Sequence, residues 1–178
     1  MEVIKTKLHD CLIIKPKVFG DERGFFLETF QKNNYKNYAG IKSPFVQDNH
    51  SRSTKGVLRG LHFQKRKPQG KLVRVVSGEV YDVAVDIRKD SSTFGMWEGI
   101  YLSESNKTQF WIPPGFAHGF VVISEVADFE YKCTDYYDPL DEGCIIWNDP
   151  LLNINWPIKD PILSEKDIKA GTLSDYEI

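Results

Sequence analysis

The sequence predicts an all-β fold, an antiparallel sandwich or barrel with a few short helices, and three observations carry that expectation. Residues 79–88 alternate with period two: Tyr81, Val83, Val85 and Ile87 fall on an apolar face, and Asp82, Ala84 and Asp86 on a polar one. Several other short runs rich in β-branched and aromatic residues recur between turn signals. Helical periodicity is scarce, confined to a short turn over residues 30–38 and a weak helix at Ser164-Glu165-Lys166-Asp167, where Ser164 can cap the first turn.

In chain order, Lys71-Leu72-Val73-Arg74-Val75-Val76 reads as a strand. Ser77-Gly78 follows as a tight turn, which makes residues 79–88 the second arm of a hairpin. Shorter strands are expected at residues 99–102, 109–112, 119–123 and 127–134. Pro113-Pro114-Gly115 cannot sit inside a ladder and must turn the chain. From Trp147 onward the chain is rich in Asn, Asp and Pro, and is expected to wrap the barrel as irregular structure. There is no repeat, linker or low-complexity tract, so residues 1–178 are expected to form one domain with a core of its own.

Composition narrows the classes of function. Hydrophobic residues make up 41% and aromatic residues 13%, values ordinary for a soluble globular protein. A formal net charge of -2 offers no global field for nucleic acid or an anionic membrane, so an anionic ligand must be gripped by local arginines and lysines. Cys11, Cys133 and Cys144 are odd in number and widely spaced, which suits a reducing compartment and not a disulfide framework. Residues 1–8 lack the apolar core of a signal peptide, and no apolar run approaches a membrane span. These features together lead us to expect a cytoplasmic protein.

Two stretches carry candidate chemistry: Arg59-Gly60-Leu61-His62-Phe63 and Pro113-Pro114-Gly115-Phe116-Ala117-His118-Gly119. They are similar to the two half-motifs of a cupin barrel. The second matches the form P-x-G-x-x-H, while the first is a broken H-x-H in which Gln64 stands at the second histidine position. Two histidines without a matching Glu are a poor set for Zn or Fe, so no metal is expected and both imidazoles are open to proton transfer. Taken singly, a histidine reads more readily as a core residue bonded to backbone.

Eight blocks in order resemble the dTDP-4-dehydrorhamnose 3,5-epimerase family of cupins, over roughly residues 14–167. They are Asp21-Glu22-Arg23-Gly24-Phe25-Phe26, Gln47-Asp48-Asn49, the run from Gly56 to Gln64, Gly70-Lys71, the run from Val80 to Arg88, the run from Pro113 to Phe120, the run from Tyr131 to Tyr137, and Leu163-Ser164-Glu165-Lys166-Asp167. The resemblance implies a cupin-type antiparallel β-barrel (a jelly roll) that needs no cofactor and acts on a small-molecule substrate, a dTDP-4-keto-6-deoxy sugar. Hydrogens at C3 and C5 of such a sugar are acidic because both carbons flank the ketone. Inversion needs a base on one face, an acid on the other, and a donor for the enolate oxygen.

On this resemblance His62 is the base, Asp167 its carboxylate partner, Tyr131 the general acid and Lys71 the enolate partner. Arg23 and Arg59 match diphosphate contacts, His118 a phosphate or sugar contact, and Tyr137 the aromatic stacked on thymine. Tyr137 would share the strand parity of Tyr131 if that strand ran on past Thr134. Glu28, Gln47, Asn49 and Glu142 match further nucleotide or sugar contacts, with Phe26 bordering the site. Part of the segment 21–28 reaches the partner's barrel in the family, which implies a homodimer with shared active sites. Inversion at C3 alone, a related nucleotide keto-sugar, a non-catalytic nucleotide-sugar-binding cupin and a metal-dependent cupin remain as alternatives. Ideal strand alternation would put Arg59 and His62 on opposite faces, so a bulge at Gly60 is expected if both enter one cavity. No role follows for residues 168–178.

Overall fold

The computed structural model describes residues 1–176. The first half of that chain forms β1 (Glu2–Lys5), β2 (Leu12–Lys15), β3 (Val18–Asp21), β4 (Gly24–Leu27), α1 (Lys32–Ala39), β5 (Gln47–Thr54), β6 (Leu58–Gln64) and β7 (Lys71–Ser77). The second half forms β8 (Glu79–Asp86), β9 (Trp97–Ser103), β10 (Gln109–Ile112), β11 (Phe116–Val122), β12 (Val126–Cys133), β13 (Glu142–Cys144) and α2 (Glu165–Ile168), and then a 3-10 turn at Leu173–Asp175. A six-stranded sheet runs β1-β2-β10-β7-β12-β5 and a five-stranded sheet runs β13-β6-β11-β8-β9, while β3 and β4 pair with each other.

The two large sheets face each other because side chains alternating inward from both build one apolar core. Val73, Val75, Phe110, Ile112 and Phe129 come from the first sheet, and Val80, Ala84, Leu102, Phe116, Phe120 and Val122 from the second. The outer face of the second sheet is also covered. Leu58, Leu61, Phe63, Val83, Val85, Ala117 and Val121 pack beneath Ile145, Leu152, Trp156 and Leu173 of the C-terminal chain. Asp149 pins this covering, its carboxylate accepting from the backbone N–H groups of Leu151, Leu152 and Leu173. The C-terminal third therefore wraps the barrel as the composition suggested.

Two local expectations are corrected. The hairpin at Ser77-Gly78 does not form, since β7 and β8 lie in different sheets and Gly78, at φ 79°, carries the chain across the corner between them. A β-carbon there would meet the Val126 carbonyl oxygen at 2.1 Å, so the corner demands glycine just as a hairpin would. The polar face of β8 is not a solvent face either. Asp82 and Asp86 are fully buried, because Val80, Asp82 and Ala84 point between the sheets while Tyr81, Val83 and Val85 meet the C-terminal wrap.

The short turn expected at residues 30–38 is α1, capped by the Gln31 side chain on the Asn34 N–H and closed by Gly40. The bulge expected at Gly60 is also present. Arg59 pairs with Phe120 and His62 with His118, so Gly60 and Leu61 together stand opposite the single residue Gly119. The extra residue restores Arg59 and His62 to one face, while Leu58, Leu61 and Phe63 share the other.

Gly60 has φ 120°, and a β-carbon on it would lie 2.6 Å from both Gly119 Cα and the His118 carbonyl oxygen. Because both obstacles are backbone, Gly60→Ala is expected to destabilise the protein by roughly 3 kcal/mol and to lower activity with it. Denaturant unfolding measures this, and an alanine variant as stable as the parent would remove the steric account of the bulge.

Candidate active site

Between the sheets the apolar core gives way to a cavity of about 320 Å³. Its floor and walls come from both sheets. β6 contributes Arg59, His62 and Gln64 and β11 contributes His118, while β5, β7 and β12 contribute Gln47, Asn49, Lys71 and Tyr131 from across the barrel. Tyr137 and Glu142 close the rim. Nine of the thirteen residues singled out from the sequence therefore line one cavity, with Asp167 directly behind His62.

Asp167 reaches His62 because Ser164 caps α2 and so turns the first helical residues toward β6 and β13. His62 Nε2 lies 2.6 Å from Asp167 Oδ1, and the Asp167 side chain is 3% exposed. Burial alone would raise the Asp167 carboxyl, but bonds from His62 and Ser164 hold it below the ordinary value, so it stays an anion. A carboxylate in that place selects the tautomer with hydrogen on Nε2, which leaves the lone pair of His62 on Nδ1.

Tyr131 comes from the opposite sheet, and its phenol is pushed up to about 12, chiefly by burial and then by the neighbouring Cys133 and Glu142. It holds its proton at any physiological pH. Lys71, on the strand next to Tyr131, is pushed down by burial, which the charges of Cys133, Asp82 and Glu142 offset only in part. An ammonium so poorly solvated gains most from a developing negative charge in the cavity.

His118 is buried and bonds both oxygens of Asp82, at 2.9 and 3.0 Å. Burial pushes the Asp82 carboxyl up and the His118 imidazole down, and each offsets the other's cost. Asp82 holds His118 at the cavity wall, a contact that sequence reasoning missed because alternation assigned Asp82 to a polar face. An acidic residue flanked by Val80 and Ala84 on the same face was the available signal. Arg59 Nε donates to Ser53 Oγ at 3.0 Å, so its guanidinium is held at the cavity by a serine that was also overlooked.

The strand-parity reason for Tyr137 fails, since β12 ends at Cys133. Tyr137 reaches the rim from the following loop instead. Its N–H donates to Gln47 Oε1 at 2.9 Å and its hydroxyl to Glu142 Oε2 at 3.0 Å. Gln47 in turn donates to Asn49, and Glu142 accepts from Lys166. These bonds hold the Glu142 carboxyl below its ordinary value although burial opposes it. Gln64, at the lost histidine position, accepts from the Asp138 N–H and donates to the Lys67 carbonyl, so it fastens the same loop.

Arg23, Phe26 and Glu28 are not brought to this cavity within one chain. Arg23 and Phe26 lie on the β3–β4 ribbon, where Arg23 pairs with Asp21 and Phe26 is 68% exposed. Glu28, just beyond it, accepts from Asn34 Nδ2 at 3.0 Å. The donors of His62, Cys144 and Asp167 lie within 4.8 Å of one another, the spacing of a metal site. Their chemistry is that of a hydrogen-bonded cluster, since Asp167 Oδ1 is taken by His62 and the Cys144 thiol, pushed up to about 12 by burial and by Asp167, keeps its proton. No helix among the described residues is long and apolar enough to cross a membrane.

Comparison with known proteins gives consistent matches. The family model described as dTDP-4-dehydrorhamnose 3,5-epimerase matches residues 5–175. A dTDP-4-dehydrorhamnose 3,5-epimerase of Shigella flexneri is 57% identical, over 99% of this chain and 98% of its own length. The crystal structure of dTDP-6-deoxy-D-glucose-3,5-epimerase from Legionella pneumophila, in complex with dTDP-4-keto-L-rhamnose, superposes with a TM-score of 0.95 at 57% identity, covering 97% of this chain and 93% of that one. A 3'-monoepimerase from Streptomyces bikiniensis, in complex with dTDP-quinovose, matches at a TM-score of 0.88 and 31% identity, over 95% of this chain and 86% of that one. The barrel is thus the cupin-type jelly roll expected from the sequence.

The half-buried Lys71 ammonium generates a prediction. The folded-state pKa of Lys71 lies below its unfolded value, so its charge destabilises the fold at neutral pH, and the penalty vanishes as pH rises past the unfolded value of about 10.4. Lys71→Met is expected to raise unfolding free energy on the order of 1 kcal/mol at pH 7, with no gain near pH 11, while turnover collapses. Denaturant titrations at the two pH values check this, and a less stable methionine variant would refute it.

Proposed function

The chain belongs to the dTDP-4-dehydrorhamnose 3,5-epimerase family, and on that premise we propose that it inverts C3 and C5 of dTDP-4-dehydro-6-deoxy-D-glucose to give dTDP-4-dehydro-L-rhamnose without a cofactor. The observation that carries the reading is the opposition of His62, on one sheet, to Tyr131, on the other, with Lys71 beside Tyr131. His62 Nδ1 takes the proton from the carbon next to the ketone, and the electron pair moves into the enolate. Lys71 stabilises the oxygen, and Tyr131 returns a proton to the opposite face. A positioned base of this kind contributes roughly 10²–10⁴-fold, and an oxyanion donor about 2.7–4 kcal/mol of barrier.

Arg59 and His118 hold the diphosphate or sugar end. Tyr137 stacks on the thymine, with Gln47, Asn49 and Glu142 as further nucleotide contacts. Arg23, Phe26 and Glu28 complete the site of a second copy in a homodimer. This placement is supported by the β3–β4 ribbon, which exposes Phe19, Phe25 and Phe26 at 52%, 58% and 68% and has no core of its own to cover them. The three free, buried cysteines support a cytoplasmic location.

Incubation with the 4-keto sugar nucleotide in D₂O tests the reaction. Solvent deuterium at C3 and C5 of the product is expected, deuterium at C3 alone would mark the mono-epimerase, and binding without exchange would mark a non-catalytic cupin. Tyr131→Phe should bind substrate normally yet fail to complete epimerisation, and unchanged turnover would remove Tyr131 from the mechanism. Mixing Arg23→Ala chains with His62→Ala chains should restore activity that neither has alone. Absence of complementation in a verified mixed dimer would overturn the shared site.

A further inference from the structure

On this reading His62 is only as good a base as Asp167 allows, and Asp167 is not held by His62 alone. We propose that Ser164 and Cys144 are positioning residues for the His62–Asp167 pair, each donating a hydrogen bond that fixes the carboxylate against the imidazole. Ser164 Oγ donates to Asp167 Oδ2 at 2.7 Å. Cys144 Sγ donates to Oδ1 at 3.5 Å, the oxygen that also takes the 2.6 Å bond from His62. With its side chain 3% exposed, the carboxylate has no bulk water to replace either donor. Engaging both oxygens stops it from pivoting out of the plane in which Oδ1 meets Nε2.

The two donors arrive by separate routes. Ser164 opens α2, where its Oγ also accepts from the Asp167 N–H at 3.2 Å, so one hydroxyl serves both the helix and the carboxylate. Cys144 stands opposite His62 in the β13–β6 register. Its backbone is clasped by Tyr176, whose hydroxyl donates to the Cys144 carbonyl at 2.8 Å and accepts from its N–H at 3.3 Å. Part of the tail to which the sequence assigned no role therefore seats the strand that carries Cys144; residues 177–178 lie outside the described residues. The high thiol pKa, about 12, keeps the proton that Cys144 donates.

The direction of the effect follows from charge. A carboxylate short of one donor draws harder on the shared hydrogen, which moves the acid limb of the rate profile to higher pH. The other titratable groups around the pair are Glu142 on β13, Lys166 on α2, His118 on β11 and Lys71 on β7, and the variants leave all of them in place.

In the full chain, Ser164→Gly removes the donor while keeping a residue tolerated at a helix N-cap. It is expected to lower kcat roughly tenfold with little change in KM, and to move the acid limb of the rate profile up by about half a unit, whereas Ser164→Thr restores both. Cys144→Ala should shift the limb the same way by less, with Cys144→Ser restoring it. NMR titration of the His62 ring reads the same shift without turnover, so a failed epimerase reading and a failed positioning role are distinguishable. A parental profile in both Ser164→Gly and Cys144→Ala, or damage that Thr and Ser do not rescue, would overturn the proposal.

Discussion

The site rests on a steric constraint between two strands. β6 and β11 approach so closely at Gly60 and Gly119 that neither position has room for a side chain. That approach is what allows β6 to carry one residue more than its partner, and the extra residue turns Arg59 and His62 to the same side. Without it, one of them would join Leu58 and Phe63 beneath the C-terminal wrap. The outer pairing of β6 with β13 then fixes Cys144 opposite His62 and brings α2 within reach of it.

The interior of the barrel serves two ends at once, and β8 shows how they are reconciled. Along its inward face Val80 and Ala84 join the apolar core while Asp82, between them, supports His118 at the cavity. Packing at one end supplies the rigidity that a polar cavity at the other cannot supply for itself. The buried charges of the cavity are a burden on the fold, accepted because the same desolvation sharpens their interaction with substrate.

Much of this was legible in the chain, and the illegible parts share a physical cause. Strands whose two faces differ in polarity announced themselves, and β7 to β10 and β12 were found close to their true bounds, while β11 begins three residues earlier than expected, at Phe116, and takes in His118. β5 did not, because Gln47, Asn49, Ser51 and Ser53 form its inward face and line a polar cavity or hold Arg59, so no hydrophobic alternation exists to be read. The corner at Gly78 was mistaken for a hairpin since both need the same left-handed glycine, and only the pairing of distant strands separates them. The residues that touch substrate in the proposed mechanism were recognisable from their motif blocks. Their supports, Asp82, Ser53 and Ser164's second bond, depend on three-dimensional neighbours that no local pattern encodes. Arg23, Phe26 and Glu28 illustrate the converse, being recognisable in sequence yet remote from the cavity of their own chain.

The bond between His62 and Asp167 joins residues 105 positions apart, and it bears on how the protein comes into being. Every wall of the cavity is contributed by residues 47–142, so the pocket is shaped by contacts that do not involve α2. Closing the long loop to α2 is an entropic step that the docking of Leu152, Trp156 and Leu173 on the second sheet must repay. During folding a chain can thus hold a pocket with the right shape before it holds a competent base. In the proposed mechanism the base becomes competent only when the segment that seals the hydrophobic back of the barrel has docked.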